Sequence, residues 1–187
     1  IIIVLLCVFS ILIGHIAYNI SGGASGLRED IGLEIKARSN PKLRTILNNK
    51  DQYPDAMIQS LYRNEELIDF VYNYPSKKGH VYTNTIGPVT KGRYPLLLQY
   101  DQRWGYGRYG YNVIGMNGCG PSSAAMIIAG LTGTNNITPF DVASYAYSHG
   151  YYQDGTSWSF FTEGMKHYGI YGRNIPLSYS SMKNEIM

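Results

Sequence analysis

The stretch Gly118-Cys119-Gly120-Pro121-Ser122-Ser123-Ala124-Ala125-Met126 is a glycine-rich turn that runs into a helix, and it constrains the chain more than any other segment. Pro121 suits an early helical position. Ala124 to Ile128 and Leu131 continue the helix, and Gly133 stops it. A second signal follows at Thr138-Pro139-Phe140-Asp141, which sets a Thr cap, a Pro in the first turn and an acid three residues after the cap. Gly150 closes that helix. Ser157 to Tyr168 reads as a third helix closed by Gly169, Ile170 to Ile175 as a strand, and Leu177 to Met187 as the start of another helix. Upstream, Tyr94 to Tyr100 reads as a buried strand. Asp101 to Gly110 reads as a Gly- and aromatic-rich loop, and Tyr111 to Ile114 as a short extended piece.

The N-terminal half has a different character. Ile1 to Ile20 contains no Asp, Glu, Lys or Arg, and about 20 apolar residues suffice to span a bilayer as a helix. The small residues Ser21 to Ser25 that follow suit a signal peptidase, so residues 1–22 read as a transmembrane anchor or a signal segment. Residues 27–78 read as an extension of short helices, either a stalk or a packed helical subdomain. Ile31, Leu33 and Ile35 mark a first weak helix. Pro41 opens a second with Leu43, Ile46 and Leu47, and Pro54 a third with Met57, Ile58 and Leu61. Asn64 caps a fourth with Leu67, Ile68, Phe70 and Val71 inward. A boundary falls between Gly79 and Arg93, and the main domain occupies 94–187.

Charge excludes one class of partner. The net charge is only +3, and Pro95 to Met187 holds equal numbers of basic and acidic side chains, so no footprint for nucleic acid is present. Hydrophobic residues make up 44% and charged residues 16%, the balance of a folded domain and not of a disordered one.

Cys119 carries the chemistry. The other cysteine, Cys7, lies in the apolar N-terminal run, so in an exported chain Cys119 is a candidate reactive thiol. The thiolate is the nucleophile, and the unpaired N–H groups and dipole of a helix N-terminus favour an anion. Gly118 and Gly120 allow a sharp turn and leave room for a substrate backbone, and the first-turn amides can help to bind an oxyanion. The competing reading is a buried structural cysteine, against which the flanking glycines argue.

A thiol nucleophile needs a base, usually His. The chain holds His15, His80, His149 and His167. His15 lies in the apolar run and His80 in a linker. His149 and His167 lie near helix ends, where the dipole favours them without any function. No pair has zinc-ligand spacing with a cysteine, so neither a metal nor another cofactor is expected.

With these residues in place, the chain resembles the papain-like cysteine peptidases of the bacteriocin-processing type, the thirty-ninth cysteine-peptidase family, and in particular its exported bacterial branch. The likeness rests on Leu98-Gln99-Tyr100-Asp101-Gln102-Arg103-Trp104 and on Gly118 to Met126. It continues through Leu131-Thr132-Gly133, Thr138-Pro139 and Gly155-Thr156-Ser157-Trp158, and spans Pro95 to Met187. The resemblance implies an α+β fold, here the helical half of a papain-like domain. It implies Cys119 as nucleophile and Gln99 as oxyanion donor. Better-known members carry their Gln shortly before the Cys, where this chain has Val113, which makes Asn112 a reserve candidate. Gly118, Gly120 and Trp158 are expected at the substrate groove, and Asp101 and Trp104 to fix the loop. The family's His and its Asp or Asn partner lie on a following sheet half that nothing here matches, so the chain reads as a fragment cut before it.

The function so implied is an exported or membrane-anchored bacterial cysteine peptidase acting on peptide or protein substrates. The alternative is an inactive papain-like module that binds peptides or cell-wall polymers.

Overall fold

The computed structural model describes residues 31–186; the expected anchor or signal segment at 1–22 lies outside them. Among the described residues no helix is long and apolar enough to cross a membrane. The chain divides into two units at Pro75 and Ser76.

Among the described residues the first unit is built of helices joined by short turns. Residues 31–37 form α1, in which Leu33 and Ala37, one turn apart, are buried while Ile31 and Ile35 face out. The Asn40 side chain accepts a hydrogen bond from the Leu43 N–H at 3.1 Å and so caps α2, Pro41–Asn48, with Pro41 at its start. Pro54 precedes α3, Asp55–Arg63. Asn64 accepts from the Glu66 N–H at 3.0 Å and opens a 3-10 turn, Glu65–Leu67, which leads into α4, Ile68–Lys77. The helix runs through Pro75 and ends at Lys77. Leu43, Ile46, Met57, Leu61 and Val71 are fully enclosed, so this unit has its own core.

The second unit is built around α6, Cys119–Thr132, which packs against α7, Pro139–Ser148. Ala124, Ala125, Ile128 and Ala129 on α6 and Val142, Ala143 and Ala146 on α7 are buried, and small side chains on both faces let the helices lie close. Trp104, Ile114, Phe160 and Met165 close this core, and each large apolar side chain so buried contributes about 1.5–3 kcal/mol. Gly133, at φ 78°, takes the left-handed position that ends α6. The capping box is complete: Thr138 Oγ1 accepts from the Asp141 N–H at 3.3 Å, and Asp141 Oδ2 accepts from the Thr138 N–H at 2.8 Å.

The only regular sheet among the described residues is a two-stranded antiparallel ribbon. It pairs β1, Arg108–Tyr109, with β2, Asn112–Val113, in the register Arg108 to Val113 and Tyr109 to Asn112. A short α5, Ile114–Asn117, joins it to α6. The architecture is therefore mixed, mainly helical with a small sheet, and compatible with the α+β class.

Three local expectations differ from the structure. Residues 94–100 form no strand; Leu97 is buried, but Tyr94, Leu96 and Leu98 are exposed, and no strand pairs with this segment among the described residues. Residues 170–175 likewise form no strand. The expected helix over 157–168 is split into α8, Trp158–Thr162, and a 3-10 turn, Gly164–Tyr168, where the Phe160 ring packs directly on Gly164. The final helix is present as α9, Tyr179–Ile186.

Removing the cap that orients α7 is expected to be costly. Thr138→Ala should destabilise the fold by about 1–2 kcal/mol in urea denaturation, with Thr138→Ser close to the parent; equal stability of the Ala variant would show that the box contributes nothing.

Candidate active site

Cys119 is the first residue of α6 and carries an exposed free thiol. The helix begins two residues earlier than Pro121, so Cys119 stands in its first turn. Gly118 caps it, and its carbonyl accepts the Ser122 N–H at 2.9 Å. Pro121 has no N–H, which leaves the amides of Cys119 and Gly120 as the free donors of this turn.

The thiol opens into a cleft of about 320 Å³ lined by Cys119, Gly120, Ser123, Thr156, Trp158 and Phe161. Trp158 is 83% exposed, which rules out a core role and makes it an open wall of the cleft. Phe161 lies beside it, with ring centroids 6.1 Å apart. The structure thus brings Cys119, Gly120 and Trp158 together.

The glycines serve internal packing. A Cβ on Gly118 would lie 2.4 Å from Ile114 Cγ2 and 2.5 Å from the Ile114 carbonyl oxygen. One on Gly120 would lie 2.4 Å from Thr156 Oγ1 and 2.6 Å from Thr156 Cβ. The space that the sequence reading left for a substrate backbone is filled beside both residues by the protein itself. Gly118 is buried and is not among the residues lining the cleft.

Gln99 sits on the segment before the ribbon. Its Nε2 donates to the carbonyl of Gly115 at 2.9 Å and approaches that of Met116 at 3.5 Å. It braces α5, immediately ahead of the Cys119 turn, and does not line the cleft. The reserve candidate Asn112 also turns to the backbone, its Oδ1 accepting from the Val113 N–H at 2.9 Å. Asp101 and Trp104 hold the loop as expected. Asp101 takes Arg103 in a two-pronged ion pair, the guanidinium lies 4.4 Å over the Trp104 ring, and Trp104 Nε1 donates to the Leu98 carbonyl at 2.9 Å.

Thr156 and Tyr109 are the partners that sequence reasoning missed. Tyr109, buried on β1, has its hydroxyl 2.7 Å from Thr156 Oγ1. Burial pushes the Tyr109 phenol above its ordinary value; the hydrogen bond to Thr156 opposes this, while Tyr152 and Cys119 add to it. The phenol therefore stays protonated at neutral pH and supports Thr156 from behind. Thr156 is brought in by a tight turn in which Tyr152 bridges to Thr156 and Asp154 takes a left-handed conformation at φ 51°. Tyr152 reaches the other side of the site, accepting from Asn117 Nδ2 at 3.3 Å. The motif Gly155-Thr156-Ser157-Trp158 was the only sequence signal for Thr156, and nothing in its spacing pointed to Gly120.

Among the described residues no histidine lines the cleft. Tyr145 on α7 is sandwiched between the rings of His149 and His167, at centroid distances of 4.0 and 4.1 Å. His149 Nδ1 also lies 2.9 Å from the Tyr145 carbonyl oxygen. His80 is exposed on its loop, beside Tyr82. Among the described residues no group of His, Cys, Asp and Glu could hold a metal ion.

Comparisons with models of known families, with curated proteins and with solved structures find no match to this chain.

Two predictions follow from this geometry. Gly120→Ala drives a methyl group into Thr156 and is expected to cost about 1–3 kcal/mol. Combining it with Thr156→Gly should recover part of the loss in urea denaturation, because the two sites are coupled; a fully stable Gly120→Ala would disprove the close approach.

The second concerns Tyr168, packed edge-on against Tyr145, whose phenol burial pushes up, with Tyr145 and Asp141 adding to the rise. A phenol that ionises later in the folded chain than in the unfolded one supports the fold below about pH 10 and loses that support as pH rises further. Stability should fall above about pH 10, and less steeply in Tyr168→Phe; the same slope in both proteins would remove Tyr168 from the account.

Proposed function

We propose that this chain supplies the nucleophile-bearing part of an exported or membrane-anchored cysteine peptidase. One observation carries the reading: the free thiol of Cys119 is exposed in the first turn of the central helix and opens into an aromatic-walled cleft. The Cys119 thiolate attacks the carbonyl carbon of a peptide bond while the free amides of Cys119 and Gly120 face the developing oxyanion. The C–N bond then breaks, the amine leaves with a proton taken from water, and the hydroxide so formed hydrolyses the thioester to release the carboxylate and return the thiol. Trp158 and Phe161 hold an apolar side chain or the extended backbone of the substrate. Gln99 acts through α5, as a brace for the turn. The uncharged run Ile1 to Ile20 supports placement at or across a membrane.

A second reading has its own support. The reaction needs a base, and no histidine lines the cleft among the described residues. The same cleft without a base is a peptide- or cell-wall-binding module.

Peptidyl electrophiles separate the two. In a Cys7→Ser background, iodoacetamide should alkylate the native protein once, at Cys119. A peptidyl acyloxymethyl ketone should form an adduct at the same residue, and hydrolysis of a peptide mixture should fall to background in Cys119→Ala. Alkylation without either peptidyl adduct or hydrolysis would give the binding module precedence, and hydrolysis that survives Cys119→Ala would remove Cys119 as nucleophile.

A further inference from the structure

A second cleft, of about 490 Å³, shares no lining residue with the first. It is bounded by Gly79, Arg108, Gly110, Phe140, Ser144 and Tyr147. Phe140, Ser144 and Tyr147 recur at the four- and three-residue spacing of one helical face, so α7 offers this cleft a stripe of two aromatic rings and a hydroxyl. Its neighbouring face, Val142, Ala143 and Ala146, is buried in the core. Opposite stands Arg108 on β1. Successive strand residues point to opposite sides, so Tyr109 faces inward to Thr156 while Arg108 faces this cleft. Arg108 is exposed and has no hydrogen-bond, ion-pair or ring partner among the described residues. It differs in this from Arg103, which is tied to Asp101, and from Arg173, which is tied to Glu185.

We propose that this cleft binds a carboxylate joined to an apolar or aromatic body, of the kind presented by the C-terminal residue of a peptide. Arg108 is the only charged residue in the lining, and one guanidinium fork matches one planar carboxylate in charge and in geometry. A phosphate dianion would leave a charge unmatched. The Phe140 and Tyr147 rings take the apolar body, and Ser144 offers a hydroxyl that can donate to the carboxylate or to a neighbouring carbonyl. The volume lies within the range of small-molecule sites. The proposal does not depend on the chemistry at Cys119, which lines the other cleft.

The test compares N-acetyl-phenylalanine with its amide, N-acetyl-phenylalaninamide, on the whole chain at low salt. The acid is expected to bind with a dissociation constant in the millimolar range and about tenfold or more tightly than the amide. Backbone NMR shifts should map to Phe140, Ser144 and Arg108. Arg108→Gln should weaken the acid by the same factor and leave the amide unchanged, with Arg108→Lys intermediate. Equal affinity for acid and amide, acid binding unaffected by Arg108→Gln, shifts confined to Trp158 and Phe161, or no binding of the acid up to about 50 mM would each overturn the proposal. The acid–amide comparison is made on the parent protein and stands even where a variant does not fold.

Discussion

The contact between Thr156 and the backbone of Gly120 ties together the parts of the second unit that surround the Cys119 thiol. A helix start is an incomplete structure, with amides that lack intrahelical partners and a first residue free to point at solvent. Here that start is pinned from two sides. Ile114 packs on Gly118 and Thr156 on Gly120, each closer than any Cβ would allow. The Tyr109 hydroxyl then secures Thr156, and Asn117 and Tyr152 link the preceding turn to the same loop. The thiol is thus exposed at a helix start that the protein packs from two sides.

The two clefts are consequences of the same short ribbon. The hairpin is only two residues long on each side, yet strand alternation sends Tyr109 toward the thiol's support and Arg108 toward the α7 face. Tyr152 lies against Gly110 beneath the second cleft and reaches Asn117 beside the first. Among the described residues no histidine lines either cleft. Stacking on Tyr145 engages the rings of both His149 and His167, an arrangement that fits a packing role at the end of α7.

Where sequence patterns were strong, the structure follows them. The box at Thr138 to Asp141, the stop at Gly133 and the caps at Asn40 and Asn64 are local devices in which a side chain meets a backbone group a few residues away. Such contacts form whatever the rest of the chain does, so they are legible in one dimension. The segments 94–100 and 170–175 are less informative, because a strand exists only with a neighbour to pair with and none lies there among the described residues. Trp158 shows the same limit from the other side. An aromatic at a helix start suits a core as well as a groove, and only its exposure decides between them.

The sequence by itself determined that a cysteine would stand between two glycines at the head of an apolar helix, followed by a capped second helix. These are matters of local backbone preference and of hydrogen bonds within a single turn. The tertiary structure decided what the glycines are for, since the atoms that fill the space beside Gly120 belong to a loop far along the chain. It also decided that Gln99 braces α5, that Arg108 lines the second cleft, and that Thr156 stands at the thiol's cleft. Each depends on which distant surfaces meet, and long-range packing leaves no periodic trace in the residues that make it.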